Sequence, residues 1–192
     1  MASRGEYRDI QARVERVFDL DARLPGMVFK SPRESTVFAE FAVALGGHFW
    51  PVLRELARTY ADDRVYLLVV APDGDSYYAP EYGVYPAAVL SSTASEDEYW
   101  ETISEEPGGD VTGALAFSAE VVAFTGDSGE WGCWAESGYE IAAVQGWPAT
   151  LSPLVYVPLL NAVETLEDFV SLAFYKHGVP RDFASAFLAN YK

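Results

Sequence analysis

"ALAFSAEVVAFTGDSGEWGCWAESGYEIAAVQ", residues 114–145, decides how this chain folds. Four runs rich in β-branched and aromatic residues, "ALAFS", "EVVAF", "WGCWAE" and "YEIAAVQ", are separated by "GDSGE" and "SG". Tight connections select Gly, Asp and Ser, because glycine tolerates positive φ and the short polar side chains bond their own backbone. The pattern predicts consecutive antiparallel strands joined by hairpins.

Upstream, "RVYLLVV" (64–70) reads as a buried strand ended by the turn "APDGD", and "YPAAVLSS" (85–92) as another. The ends of the chain carry helical spacing instead. Ile10, Val14, Val17 and Phe18 line one face of an opening helix. "SPRE" (31–34) is a helix start, after which Val37, Phe38, Phe41 and Leu45 share a face as far as Gly46-Gly47. Pro51 opens a further helix with Val52, Leu53, Leu56 and Tyr60 as its stripe. Ser95 and Glu98 form a capping box for a short acidic helix that Pro107-Gly108-Gly109 ends. The tail, 164–192, reads as two helices broken at Gly178-Val179-Pro180. This order predicts an α+β fold, with N- and C-terminal helices packed on one face of a mostly antiparallel sheet. At 192 residues and 50 % hydrophobic, residues 1–192 are expected to form a single domain.

Fifteen per cent aromatic content argues against disorder, and one cysteine, Cys133, excludes an internal disulfide framework and any multi-cysteine metal site. The N-terminus has charges throughout and no apolar run, so no signal peptide is expected. Residues 141–163 are uncharged, but Pro148, Pro153 and Pro158 would leave backbone acceptors unpaired in lipid. The expectation is a cytoplasmic protein that does not engage membranes.

Charge is the most unusual bulk property. The net charge is −16, yet residues 1–64 hold ten basic and ten acidic side chains. From Val65 to Tyr175 there are eighteen Asp or Glu and no Lys or Arg. Nucleic acid and anionic lipid are poor direct partners for such a surface, and a basic protein is a good one.

Gly126-Asp127-Ser128-Gly129 looks like the segment around the nucleophilic serine of the chymotrypsin family. That family usually has a further glycine where this chain has Glu130, and its two β-barrels do not fit the pattern here. Ser128 is therefore read as a turn residue whose loss costs little. His48 and His177, the only histidines, lie about 130 positions apart, and "DGD" (73–75) is an ordinary turn sequence, so no metal or cofactor is expected.

The cluster Glu96, Asp97, Glu98, Glu101, Glu105, Glu106 and Asp110 is only partly structural. Acids in the first turn complement the helix dipole, whereas Glu105 and Glu106 stand at the unfavourable end. The remainder serves either solubility or an electrostatic binding face. Trp100 lies within this cluster. Trp131 and Trp134 lie on one strand with opposite facing, beside Asp127, Glu130 and Glu136. Either both are buried, or whichever points away from the core is an interface anchor. Together these residues form the candidate partner-binding surface.

The "SGEWGCWAE…YEIAAV" meander, about residues 110–146, resembles bacterial immunity proteins of polymorphic toxin systems, of the SMI1/KNR4-like type. The resemblance implies a non-enzymatic protein that neutralises a basic toxin by occluding its active site. A DNA mimic that inhibits a nucleic-acid-binding protein is a second class, and a carboxylate-based enzyme with two acids of divergent pKa a third.

Overall fold

The computed structural model describes residues 1–32, 36–148, 174 and 178–191. Its centre is a six-stranded sheet in the order β1-β6-β5-β4-β2-β3, with every pairing antiparallel. The strands are β1 (Thr36–Glu40), β2 (Arg64–Ala71), β3 (Ala87–Ser91), β4 (Val121–Gly126), β5 (Gly132–Glu136) and β6 (Ile141–Gln145). The meander is present as β4, β5 and β6, and the β4–β5 hairpin pairs Thr125 with Gly132 across the "GDSGE" turn.

Two local readings differ from this structure. "ALAFS" is a single helical turn (Leu115–Ser118), not a strand. The Ser118 hydroxyl donates back to the Ala114 carbonyl, and Ala and Leu suit a helix as well as a strand. The helix expected after "SPRE" is instead β1, paired to β6 with Phe38 opposite Ala143, followed by a short helix α2 (Phe41–Leu45). Thr36 and Val37 are β-branched and favour the extended form once a strand offers itself as partner.

The other helices follow their sequence signals. Helix α1 (Arg4–Val14) carries a capping box between Ser3 and Glu6 and buries Tyr7, Ile10 and Val14. Helix α3 (Trp50–Thr59) starts with proline in its first turn and buries Val52, Leu53 and Leu56. Helix α4 (Ala79–Tyr82) is a single turn that follows directly on a π-helical turn, Gly74–Tyr78. Helix α5 (Glu96–Ile103) is capped as expected, Glu98 N–H to Ser95 Oγ at 3.1 Å and Ser95 N–H to Glu98 Oε2 at 2.7 Å. Counting Leu115–Ser118 as α6, helix α7 (Arg181–Tyr191) closes the chain. The preceding helix expected from 164 falls almost wholly outside the described residues.

Helices cover both faces of the sheet, not one. Val65, Leu67 and Val69 of β2 point with Phe124 and Cys133 toward α3 and α5. Tyr66 and Leu68 point with Trp134 and Phe38 toward α1 and α7, so both terminal helices share one side. Each fully buried Leu, Val or Phe stabilises by roughly 1.5–3 kcal/mol relative to exposure, so two covered faces roughly double what one would supply.

Candidate partner-binding surface

Helix α5 is held by its inner face. Tyr99 stacks on Trp50 with ring centroids 5.1 Å apart, Ile103 is fully buried, and the Trp50 indole donates to Ala94 O at 2.8 Å. Positions three and four apart share a helix face, so this anchoring turns Trp100 outward together with Glu96 and Asp97. Trp100 is 43 % exposed.

The acids around it differ in what they already do. Glu98 caps the helix, and its hydrogen bonds to Ser95 hold its carboxyl below the ordinary value. Glu96 lies 3.9 Å from the exposed His48 ring, Glu105 pairs with the chain's amino terminus at 2.6 Å, and Asp110 accepts from the Thr112 N–H and hydroxyl. Asp97, Glu101 and Glu106 are exposed and have no hydrogen-bond or ion-pair partner among the described residues.

The hairpin does not add to this face as expected. Trp131 and Trp134 are 1 % and 0 % exposed, and Glu136 is 4 % exposed. The reason is the double covering of the sheet. Trp131 joins the α3–α5 side and Trp134 the α1–α7 side, so neither facing reaches solvent. Glu136 accepts from the Trp134 indole at 2.7 Å and the Leu24 N–H at 2.8 Å. Burial still pushes its carboxyl up, against these bonds and the nearby Arg23 charge.

Asp127 is committed as well. It accepts from the Arg64 guanidinium at 2.8 Å, the Arg64 N–H at 3.1 Å and the Tyr66 hydroxyl at 2.6 Å, with Arg13 at 3.6 Å. Partial burial opposes ionisation, but the bonds from Tyr66 and Arg64 hold the carboxyl below its ordinary value. Glu130, at the hairpin tip, remains exposed.

Ser128 occupies the hairpin turn, with Gly129 at φ +68. It also does more than fill it. Its N–H and hydroxyl donate to Asp62 at 2.6 and 3.0 Å, and the Trp131 indole donates to the same carboxylate at 2.8 Å. A Cβ on Gly126 would run into that carboxylate, so glycine is required there. Ser128 is thus a clasp between the hairpin and the α3–β2 loop, which its reading as a simple turn residue missed. The one available signal was "DDR" (62–64), directly ahead of a buried strand. His48, the histidine among the described residues, points to Glu96 and not to Ser128.

Asp73 accepts from the N–H groups of Asp75 and Ser76, and Asp75 pairs with Arg8, so "DGD" is a structural turn. Among the described residues no group of three or more His, Cys, Asp or Glu is arranged to hold a metal. No helix among them is long and apolar enough to cross a membrane. An open cleft of about 600 Å³ beside α3 is lined by Arg54, Arg58, Asp62, Asp63, Ser92 and Thr93. Its buried acid, Asp62, is already bound to Ser128 and Trp131.

Comparison with known proteins returned nothing. No family model, no curated protein and no solved structure matches this chain.

Proposed function

We propose that this chain is a cytoplasmic, non-enzymatic binding protein whose α5 face takes a basic protein partner. The observation that carries the reading is Trp100, 43 % exposed on the same outer surface as the carboxylates of Asp97 and Glu101, which have no partner among the described residues. An aromatic side chain desolvated at an interface supplies much of the affinity, and surrounding acids raise the encounter rate of a cationic partner. The absence of Lys and Arg from 65–175 supports the same reading, since mixed signs are usual on a surface with no such task. Its specific form is an immunity protein that covers the active site of a basic toxin, and the charge distribution and the hairpin resemblance support that form. The non-enzymatic part draws support from Ser128, whose hydroxyl is given to Asp62, while His48, the histidine among the described residues, lies beside Glu96.

The test is capture of the partner by cross-linking in the source cells, then stopped-flow association at two salt concentrations. Reversing Glu101 and Glu106 to lysine is expected to slow association and weaken its salt dependence. Trp100→Ala is expected to speed dissociation, at a cost of about 2–4 kcal/mol for a hot spot. Salt-independent association that ignores the reversal would reduce the acids to a solubility feature. Competition by duplex DNA for the partner would convert the reading to a DNA mimic.

A further inference from the structure

Five large apolar side chains are left exposed among the described residues, and three of them, Tyr77 (41 %), Val111 (48 %) and Phe117 (62 %), belong to one corner. Its floor is a pair of tyrosines. Tyr82 lies 6.0 Å from Tyr77 and 5.8 Å from Tyr78 between ring centroids, and its hydroxyl is 3.2 Å from Thr112 Oγ1, next to Val111. Tyr78 is fully buried, and its hydroxyl is 2.5 Å from Ser118 Oγ, next to Phe117. These two tyrosines tie 77–82 to 111–118, and Tyr77, Val111 and Phe117 remain on the outside.

The corner is also acidic. Asp110 Oδ1 accepts at 2.7 Å from the Thr112 hydroxyl, which itself lies 3.2 Å from the Tyr82 hydroxyl, and Glu81 directly precedes Tyr82 in the chain. The Tyr82 hydrogen bond, and behind it the charges of Glu81 and Asp110, hold the Tyr77 phenol above its ordinary value. Asp110 uses only Oδ1 to cap Thr112. No cation from 65–175 is present to neutralise them, and Arg8 is engaged by Asp75.

We propose that the Tyr77–Val111–Phe117 corner docks a protein segment that carries an arginine or lysine next to an apolar side chain. The cation would lie over the tyrosine ring, within reach of Glu81 and Asp110, and the apolar neighbour would cover Val111 and Phe117. Nucleic acid and anionic lipid are disfavoured by the same carboxylates. The proposal rests on the reading of this chain as a binder of a basic protein, and adds to Trp100 a second anchor that none of the hairpin or α5 residues supplies.

The probe is a synthetic peptide of alternating arginine and leucine, titrated into the nitrogen-15-labelled full chain, with a serine–leucine peptide as the neutral control. The arginine peptide is expected to shift the amides of 77–82, 110–113 and 117. Tyr77→Ala combined with Phe117→Ser should weaken it about tenfold or more, as loss of a hot spot does. Both positions are exposed, and an unchanged thermal midpoint shows that the variant is folded. Shifts confined to 96–101 would overturn this proposal and leave the α5 reading standing. Equal affinity for the neutral peptide would overturn the cationic occupant, and an absence of shifts at 77–82, 110–113 and 117 would overturn the corner as a docking site, whereas the α5 reading stands or falls on the kinetics with the captured partner.

Discussion

Asp62 is the residue through which the hairpin is tied to the body of the protein. Its carboxylate is 4 % exposed and takes three hydrogen bonds, from the Ser128 N–H, the Ser128 hydroxyl and the Trp131 indole. Removing an acceptor strands buried donors at about 1–3 kcal/mol each. Asp62→Ala is accordingly expected to cost about 3 kcal/mol in urea unfolding, and Ser128→Ala about 1 kcal/mol, because the Ser128 N–H keeps its partner. A wild-type midpoint for Asp62→Ala would mean that the clasp contributes nothing. Glu136 gives a prediction of the opposite kind. Its carboxyl holds a proton to higher pH when folded than when unfolded. Stability from this group is therefore full below the ordinary glutamate range, near pH ~4.3, and is lost as pH rises through the folded value. Glu136→Gln keeps an oxygen to accept from Leu24 and Trp134, so thermal melts from about pH 4 to 7 should show a flatter profile than wild type. Identical profiles would show that the buried carboxyl titrates normally.

At the scale of the element, α5 combines a locally specified start with a tertiary anchor. Ser95 and Glu98 cap each other within four residues, which is why the helix start could be read from sequence. The anchor, Tyr99 against Trp50, joins residues far apart in the chain and left no such trace. It also leaves a flaw, since Tyr99 Oη is a buried polar atom with no hydrogen-bond partner among the described residues. An unpaired buried hydroxyl costs about 1–3 kcal/mol, so Tyr99→Phe should raise stability by about 1 kcal/mol while the stacking survives. A loss of stability in calorimetry would mean that the hydroxyl has a partner in solution. The candidate surface was half legible for the same reason. The charge run and Trp100 are adjacent in sequence, whereas the burial of Trp131, Trp134 and Glu136 depends on which elements cover each side of the sheet.

For the whole molecule the dominant quantity is the net charge of −16. Arg64 and Arg13 neutralise Asp127, but the 65–175 stretch contributes no cation of its own. Like charges on one body repel, and salt at physiological strength screens beyond about 8 Å. The thermal midpoint should therefore rise as sodium chloride is added from low ionic strength. A falling midpoint would show that pairs such as Arg64–Asp127, which salt weakens, outweigh the repulsion.

Sequence by itself determined the features whose cause lies within a few residues. The aliphatic run of β2, the hairpin residues between β4 and β5, the proline that opens α3 and the cap of α5 are of this kind, and with them the α+β class. Tertiary structure decided what depends on a distant partner. Residues 36–40 are extended because β6 accepts them in register, and 115–118 coil into a turn at the end of the tyrosine corner. Periodicity reports which side chains share a face, but not what lies over that face. Helices on both sides of the sheet bury the odd and the even positions alike, and so took the hairpin tryptophans from the surface and left Trp100 and the tyrosine corner upon it.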